Sequence, residues 1–275
     1  MIDFQKKQDN KAIRLIDETW DNLFSGMEFF EFQLNNDVKI NLYKDSILSR
    51  LIYEGFEKEE TDYVVSVLND GDIFIDIGAN IGLYSLIASK IVGDTGKVIC
   101  FEPSPSTFGR LIENMKLNDL KNIDLRNIGL SDTIKEMTFY VSNNGYDAWN
   151  SFAPSQDNKL ESSIILPVST LDTELKDIEV SKIKLIKIDV EGWEKFVLFG
   201  GKYFFVNFNP IVMVEFTEEN TFNAGYAVHD IYDIMQDFGY VWYTLVNGKL
   251  LKETKKLYYP YNNLIAIKDS FKETM

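Results

Sequence analysis

The residues from Asp76 to Gly82 combine an acidic side chain, two glycines and an amide at the junction of two predicted elements. The apolar run over 73–77 is typical of a strand, and apolar residues recur at helical spacing over 81–88. Because the first turn of a helix has unpaired backbone N–H groups, we expect this loop to face a ligand that carries a phosphate or a carboxylate.

Two nucleotide-binding motifs do not match this loop. A dinucleotide fingerprint needs G-x-G-x-x-G, but Asn80 stands where the second glycine must let a pyrophosphate approach the backbone. A phosphate-binding loop needs a Lys-Ser/Thr pair after its last glycine, whereas Leu83 follows Gly82. Both nucleotide classes are disfavoured, and a glycine turn in which Asp76 merely caps the next helix is the simpler alternative.

Glu102 ends the next predicted strand and is followed by Pro103, which breaks it. It follows Asp76 at about the offset at which an acidic residue binds the ribose of a nucleoside. A carboxylate only accepts hydrogen bonds, so its two oxygens match two hydroxyl groups on adjacent carbons. We therefore predict that Glu102 binds a ribose through both oxygens.

Four acidic residues each end one predicted strand: Asp76, Glu102, Asp189 and Glu215. The carboxyl ends of parallel strands lie at one edge of a sheet, where ligands bind, so these side chains should form a shared acidic rim. Such a rim suits the hydroxyl, ammonium and sulfonium groups of an adenosyl cofactor, or a divalent metal ion. Because the carboxylates lie on separate strands, we predict no metal site. Helix capping by Asp189 or Glu215 is the structural alternative.

Strands alternate with helices from residue 71 onward, which predicts an α/β fold with a parallel sheet covered on both faces. We assign 71–275 to this domain and 1–70 to an N-terminal extension. The extension combines a helical pattern over 13–24 with a hairpin made of 30–34 and 38–42.

Two further segments extend the predicted fold. Alternating apolar and polar residues over 136–141 and 163–168 predict an inserted hairpin, and the polar and aromatic loop 145–151 between them could shape a substrate site or simply be a solvent-exposed connection. The chain ends in a predicted strand pair, 240–245 and 263–268.

The composition is that of an ordinary globular protein of 275 residues, with 45% hydrophobic and 26% charged residues. We find no apolar run of membrane-spanning length and no signal peptide, and the single cysteine permits no internal disulfide, so a cytoplasmic location is predicted. The net charge of −15 would repel a phosphate backbone. We expect a small molecule or a glycan as partner, and not a nucleic acid.

Several motifs together resemble the FkbM family of S-adenosylmethionine-dependent methyltransferases. The D-x-G-x-N-x-G loop that starts at Asp76 is similar to the first motif of these enzymes. The other matching segments are Phe101-Glu102-Pro103, the run from Asn127 to Asp132, and the run from Ile186 to Gly192, whose D-V-E-G end is the most specific. Trp193 departs from the family pattern, which usually has a small residue there, and could narrow or line an acceptor pocket.

The resemblance implies a seven-stranded, doubly wound Rossmann-like sheet whose last strand is antiparallel. It also implies S-adenosylmethionine as methyl donor and a hydroxyl acceptor on a sugar, glycan or natural product. The glycine loop would flank the methionine part, Glu102 would bind the ribose, and the segment near Asn127 would lie by the adenine. The cofactor-binding residues expected in this way are Asp76, Gly78, Ala79, Asn80, Gly82, Glu102, Pro103, Ser104, Asn127, Gly129, Leu130 and Asp189.

Methyl transfer to oxygen requires a group that holds the acceptor hydroxyl and accepts its proton. The candidates, in order, are Asp189, Glu191, Lys187 and His229. Lys187 lies in an apolar strand, which suggests pairing with Asp189 or Glu191, although a lysine that extends to solvent from the sheet end is equally compatible. Two other functions stay open, namely a cofactor-binding module without catalysis and a nicotinamide-dependent oxidoreductase on a similar sheet.

Overall fold

The computed structural model describes residues 18–142, 147–154 and 161–269. The N-terminal segment contains a hairpin whose strands pair antiparallel, as the alternating pattern predicts. Its first helix is described from Glu18 onward, so the part of the predicted helix over 13–17 lies outside the described residues. The elements are α1 (Glu18–Phe24), β1 (Phe29–Gln33), β2 (Lys39–Tyr43), α2 (Ile47–Tyr53) and α3 (Lys58–Val67).

The central sheet holds eight strands in the order β12-β11-β13-β10-β9-β3-β4-β5. Five of them are mutually parallel, and β13 runs antiparallel to its neighbours β10 and β11. The strands are β3 (Ile73–Ile77), β4 (Lys97–Phe101), β5 (Ile123–Arg126), β9 (Ile183–Ile188), β10 (Ile211–Phe216), β11 (Tyr240–Val246), β12 (Lys249–Lys252) and β13 (Asn262–Lys268).

This order confirms the predicted doubly wound α/β fold with an antiparallel last strand. The family resemblance implied seven strands, and the structure has an eighth, β12, at the edge of the sheet. Asn247 and Gly248 both have positive φ, 51° and 72°, and so form the tight turn that folds β12 back onto β11. The strand order reverses between β3 and β9, which opens a crevice at their carboxyl ends.

Helices connect the strands, and a second sheet lies beside the central one. Its order is β6-β8-β7, and β7 and β8 form the inserted hairpin that the sequence predicts. The strands of this sheet are β6 (Gly129–Leu130), β7 (Lys135–Ser142) and β8 (Glu161–Ser169). The helices after β3 are α4 (Leu83–Val92), α5 (Pro105–Leu117), α6 (Leu171–Glu174), α7 (Glu194–Gly200), α8 (Lys202–Asn207), α9 (Glu218–Asn223) and α10 (His229–Asp237). Two 3₁₀ turns lie at Asp147–Trp149 and Val180–Lys182.

Two hydrophobic clusters cover the two faces of the central sheet. On β3, Ile73, Ile75 and Ile77 face one cluster while Phe74 faces the other, as the alternation of a strand requires. Trp20 and other side chains of the N-terminal segment belong to the Phe74 cluster. The N-terminal segment therefore packs on the same core as the sheet, and the predicted boundary near residue 70 stays a prediction. No helix in the described ranges is both long enough and apolar enough to cross a membrane.

Candidate active site at the carboxyl ends of the strands

A cleft opens above the carboxyl ends of β3, β4 and β9, where the strand order reverses. Its floor is formed by strand ends and loops of the central sheet, and its roof by the inserted hairpin and the segment that includes Ala148 and Asn150. The residues that line it are Ile77, Gly78, Asn80, Phe101, Glu102, Pro103, Ile128, Gly129, Leu130, Phe139, Ala148, Asn150, Phe152, Asp189, Val190 and Glu191.

The loop between β3 and α4 does not offer free N–H groups to a ligand. The backbone N–H groups of Gly78 and Ala79 both donate to the carbonyl of Phe101, at 2.9 and 3.0 Å. The next three donate to the Glu102 carboxylate, the Asn80 side chain and the Ala79 carbonyl. The N–H groups of the loop itself therefore have partners on the neighbouring strand and within the loop, and a ligand at the first turn of α4 stays a prediction.

Glu102 joins two loops and still lines the cleft. Its carboxylate accepts the N–H of Asn80 at 3.0 Å and the N–H of Ser104 at 2.8 Å, and the residue is buried. A carboxylate only accepts hydrogen bonds, and this one lies among the residues that line the cleft. The arrangement is compatible with the ribose contact predicted from the sequence.

Residues after β4 and β5 form the adjacent wall. The Asn127 side chain donates to the carbonyls of Glu102 and Pro103, at 2.8 and 3.1 Å, and so holds the loop that carries Glu102. Ser104 caps α5 and is buried behind that loop. Gly129 and Leu130 line the cleft directly.

Three predicted cofactor residues lie behind the cleft surface. The Asp76 side chain is buried and accepts a hydrogen bond from the Ser85 hydroxyl at 2.5 Å. Burial raises the pKa of Asp76 to about 6, although Lys187 and Ser85 act in the opposite direction. Ala79 is buried in the core, and Gly82 begins α4 where an added Cβ would lie 2.7 Å from Leu111. These three residues pack against the core beneath the cleft and do not line it.

The strongest ion pair of the site joins Lys187 and Asp189. The Lys187 ammonium donates to the Asp189 carboxylate at 2.5 Å, and only 4% of the lysine side chain is exposed. Burial by itself would lower the pKa of Lys187, but the charges of Asp189, Glu57 and Asp76 outweigh it and raise that pKa. Lys187 is thus a buried cation that orients Asp189, as the apolar strand context indicated.

Glu191 and Glu215 share this region with Asp189. Glu191 adopts a left-handed backbone with φ of 53°, and its carboxylate accepts a hydrogen bond from the Asn220 amide at 2.5 Å. Burial, together with the charge of nearby carboxylates, raises the pKa of Glu191 and of Glu215 well above the ordinary value for glutamate. The acidic rim predicted from the strand ends is present on β9 and β10.

The loop that carries Asp189 and Glu191 is fixed from two sides. The Glu194 carboxylate accepts the backbone N–H groups of Val190 and Gly192, both at 3.1 Å. Burial raises the pKa of Glu194 to about 7, against the lowering effect of these N–H groups. On the other side, the Ser151 hydroxyl donates to the Glu191 carbonyl at 2.6 Å, which connects the roof to the loop.

The remaining sequence candidates lie elsewhere. His229 begins α10 and is not among the residues found to line the cleft in the described part of the chain. Trp193 stacks on Phe196 with ring centroids 4.0 Å apart and donates to the Ser131 hydroxyl, so it packs behind the loop. The predicted substrate loop contributes Ala148 and Asn150, and its part over 143–146 lies outside the described residues.

Sequence reasoning missed the apolar walls of the cleft. Phe139 and Phe152 form the roof with ring centroids 4.8 Å apart, and Phe101 and Ile128 line the cleft below. Their sequence pattern is that of core residues, so no local signal distinguishes them. The structure shows why residue 129 is a glycine: an added Cβ there would lie 2.5 Å from the Phe152 ring.

Comparison with known proteins agrees with this geometry. The Methyltransferase FkbM domain family matches residues 76–242. Methyltransferase 1 of Beauveria bassiana is 27% identical over 156 residues, which cover 50% of this chain and 61% of that protein. Hexuronic acid methyltransferase AglP of Haloferax volcanii is 30% identical over 146 residues, covering 52% of this chain and 56% of that protein.

A third relative shares a longer segment. The 2-O-methyltransferase NoeI of Sinorhizobium fredii is 26% identical over 188 residues, which cover 64% of this chain and 76% of that protein. For the first two relatives the matching segment spans less than two thirds of their length. All three relatives are methyltransferases by name.

Proposed function

The chain belongs to the FkbM family of methyltransferases, and we propose that it transfers a methyl group from S-adenosylmethionine to a hydroxyl group of a sugar, glycan or other natural product. The observation that carries the proposal is that one cleft is lined by both Glu102 and Asp189, and that Asp189 is paired with the buried Lys187. Glu102 suits a nucleoside, and Asp189 suits a hydroxyl group that must lose a proton.

The cleft fits the donor in its chemistry. The Glu102 carboxylate would accept hydrogen bonds from the ribose hydroxyl groups, and Phe101 and Ile128 offer apolar surface to an adenine ring. Gly78 and Asp189 line the cleft side by side, and the methionine part would lie next to them. S-adenosylmethionine supplies the electrophilic methyl group when it is bound there.

Asp189 is the proposed proton acceptor for the substrate hydroxyl group. Its side chain is 23% exposed, so a substrate can reach it, and Lys187 holds it in one orientation. The Asp189 carboxylate would accept the proton that the acceptor hydroxyl group loses when its oxygen takes the methyl group from S-adenosylmethionine. Glu191 on the same loop is the second candidate for this role, and His229 ranks last because it lies apart from the lining residues.

A sugar or glycan acceptor is the proposed substrate class. Two relatives are named for hexuronic acid and 2-O methylation, which supports a carbohydrate hydroxyl group. The net charge of −15 supports an acceptor other than nucleic acid, and that exclusion stays a prediction. The single cysteine supports a cytoplasmic location as part of this proposal.

Calorimetry with S-adenosylhomocysteine and NAD tests the cofactor, and methyl-labelled S-adenosylmethionine with a panel of glycans tests the reaction. We expect binding of S-adenosylhomocysteine without binding of NAD, and label transfer to at least one acceptor. Binding of NAD alone would support an oxidoreductase. Binding of S-adenosylhomocysteine without transfer to any sugar, glycan or natural product hydroxyl would favour a cofactor-binding module.

A further inference from the structure

Three carboxylates converge beside the cleft, and two of them, Asp189 and Glu191, line it. One oxygen from each of Asp189, Glu191 and Glu215 lies within 4.8 Å of the other two. Strands β9 and β10 are adjacent and parallel, so the loop after β9 and the end of β10 meet at one edge of the sheet. The left-handed backbone at Glu191 lets the loop turn there, and its side chain joins the other two.

Glu215 is the member of this cluster whose burial is not explained by a contact with another described side chain. The residue is 5% exposed, and among the described residues its carboxylate has no hydrogen-bond or ion-pair partner. A buried carboxylate without a partner is costly, because the protein interior does not replace the water that it loses. Glu215 nevertheless directs an oxygen toward Asp189 and Glu191.

The charges within the cluster do not balance. The Lys187 ammonium pairs with Asp189, and the Asn220 amide donates to Glu191 without contributing a charge. If all three carboxylates were ionised, one lysine would leave a formal excess of two negative charges in a partly buried space. A divalent cation would neutralise that excess and give Glu215 a partner.

We propose that Asp189, Glu191 and Glu215 form a binding site for a divalent, oxygen-preferring cation such as Mg²⁺ or Mn²⁺. Three carboxylate oxygens match the donor type of these ions, and their number leaves coordination positions open. The sequence favoured the absence of a metal because the carboxylates lie on separate elements. The structure brings them together by pairing β9 with β10 and by turning the chain at Glu191.

The proposal also narrows the acceptor, and this part rests on the proposed methyltransferase function. Open positions on the cation can take hydroxyl oxygens of the acceptor, and a hydroxyl group bound to a cation loses its proton more readily. Two hydroxyl groups on adjacent carbons can occupy two such positions. An acceptor with a vicinal diol, as in many sugars, is therefore favoured over one with an isolated hydroxyl group.

Mn²⁺ titration followed by electron paramagnetic resonance tests the site directly. After treatment with a chelator and its removal, the whole protein should bind one Mn²⁺ per chain, and Mg²⁺ should compete for it. Glu215→Gln keeps the shape but removes the charge, so it should raise the Kd for Mn²⁺ at least tenfold. The matched control is Glu253→Gln, because Glu253 is equally buried but pairs with Lys256 at 2.8 Å.

Thermal unfolding gives a second measurement. Mn²⁺ should raise the Tm of the unchanged protein and of Glu253→Gln, and should leave that of Glu215→Gln nearly unchanged, because a ligand stabilises only the state that binds it. If Glu215→Gln does not fold, Glu191→Gln takes its place in both measurements. Absence of Mn²⁺ binding by the unchanged protein, or equal affinity in the Gln variant, would overturn the proposal.

Calorimetry with S-adenosylhomocysteine separates this proposal from the proposed function. The unchanged protein and Glu215→Gln should bind this ligand with similar affinity, since Glu215 is not among the residues that line the cleft in the described ranges. Failure of S-adenosylhomocysteine binding with intact Mn²⁺ binding would refute the methyltransferase function alone. Intact S-adenosylhomocysteine binding without Mn²⁺ binding would refute the cation site alone.

Discussion

Glu102 connects structure and ligand binding within one side chain. It holds the glycine loop through Asn80 and the following helix through Ser104, and it lines the cleft. A side chain with this double role fixes both loops before a ligand arrives. Preorganisation of this kind reduces the entropy that binding must offset.

Glu102→Gln should weaken S-adenosylhomocysteine binding ten- to a hundredfold. The amide replaces one acceptor oxygen with a donor, and loss of hydrogen bonds to a charged group costs about 1.5 to 3 kcal/mol. Calorimetry measures the change in Kd. Glu113→Gln is the control, since Glu113 accepts a hydrogen bond from Tyr43 and is not among the lining residues that the structure describes. Equal affinity in both variants would assign Glu102 a purely structural role.

Asp189→Asn should lower turnover by about 10² to 10⁴ with a much smaller change in cofactor affinity. The amide keeps the shape of the side chain but cannot accept the proton of the acceptor hydroxyl group. A fall of about 10² to 10⁴ in turnover is the usual effect of losing a general base. Single-turnover kinetics on an identified acceptor, together with calorimetry, separate the two effects. Near-normal turnover in the Asn variant would move the assignment to Glu191.

At the scale of elements, the site depends on contact between two loops. The Asp189 N–H donates to the Ile77 carbonyl at 3.0 Å, which joins the loop after β9 to the end of β3. Gly78 has φ of 85°, and an added Cβ would lie 1.8 Å from the Asp189 carbonyl oxygen. The glycine is therefore required by close backbone approach as well as by its conformation.

Gly78→Ala should destabilise the protein by more than about 2 kcal/mol and abolish S-adenosylhomocysteine binding. A left-handed backbone costs a residue with a Cβ roughly 1–2 kcal/mol, and the clash with Asp189 adds to it. Gly109→Ala is the matched control, because Gly109 lies within α5 with nothing within 4 Å of an added Cβ. That change should be neutral or stabilise by up to about 1 kcal/mol. Urea unfolding compares the two, and equal stability would contradict this account of the loop contact.

At the scale of the whole molecule, the N-terminal segment shares a core with the sheet. Trp20 and Phe24 are buried in the cluster that also contains Phe74 of β3, and the Trp20 indole donates to the Lys44 carbonyl at 3.1 Å. From this burial we expect the segment to unfold together with the sheet as one cooperative unit.

Phe24→Ala should therefore destabilise the entire protein by about 3–5 kcal/mol, the usual range for a buried aromatic residue. Scanning calorimetry should show one unfolding transition that moves to lower temperature. The neighbouring Leu23 is 38% exposed, so Leu23→Ala should change the free energy of unfolding by less than about 0.5 kcal/mol. A separate low-temperature transition in the Phe24 variant would instead support an independent extension.

The sequence by itself determined the strands, their carboxylate ends and the glycine turns. These features follow from local patterns, since strand alternation and helix spacing are read within a few residues. The β3 strand and the β7–β8 hairpin were predictable in this way. For Lys187 the sequence left open a pair with Asp189, a pair with Glu191 or extension to solvent, and the structure shows the pair with Asp189.

Only the tertiary structure decided which acceptors the backbone N–H groups of the loops bond to and where the carboxylates meet. The Phe101 carbonyl accepts the N–H groups of Gly78 and Ala79, and Glu191 turns beside Glu215 on another strand. Such contacts join residues far apart in the chain, so their partners depend on register and on the packing of neighbouring strands. Local sequence carries the tendency to form an element, whereas the position of each side chain in space is fixed by the whole fold.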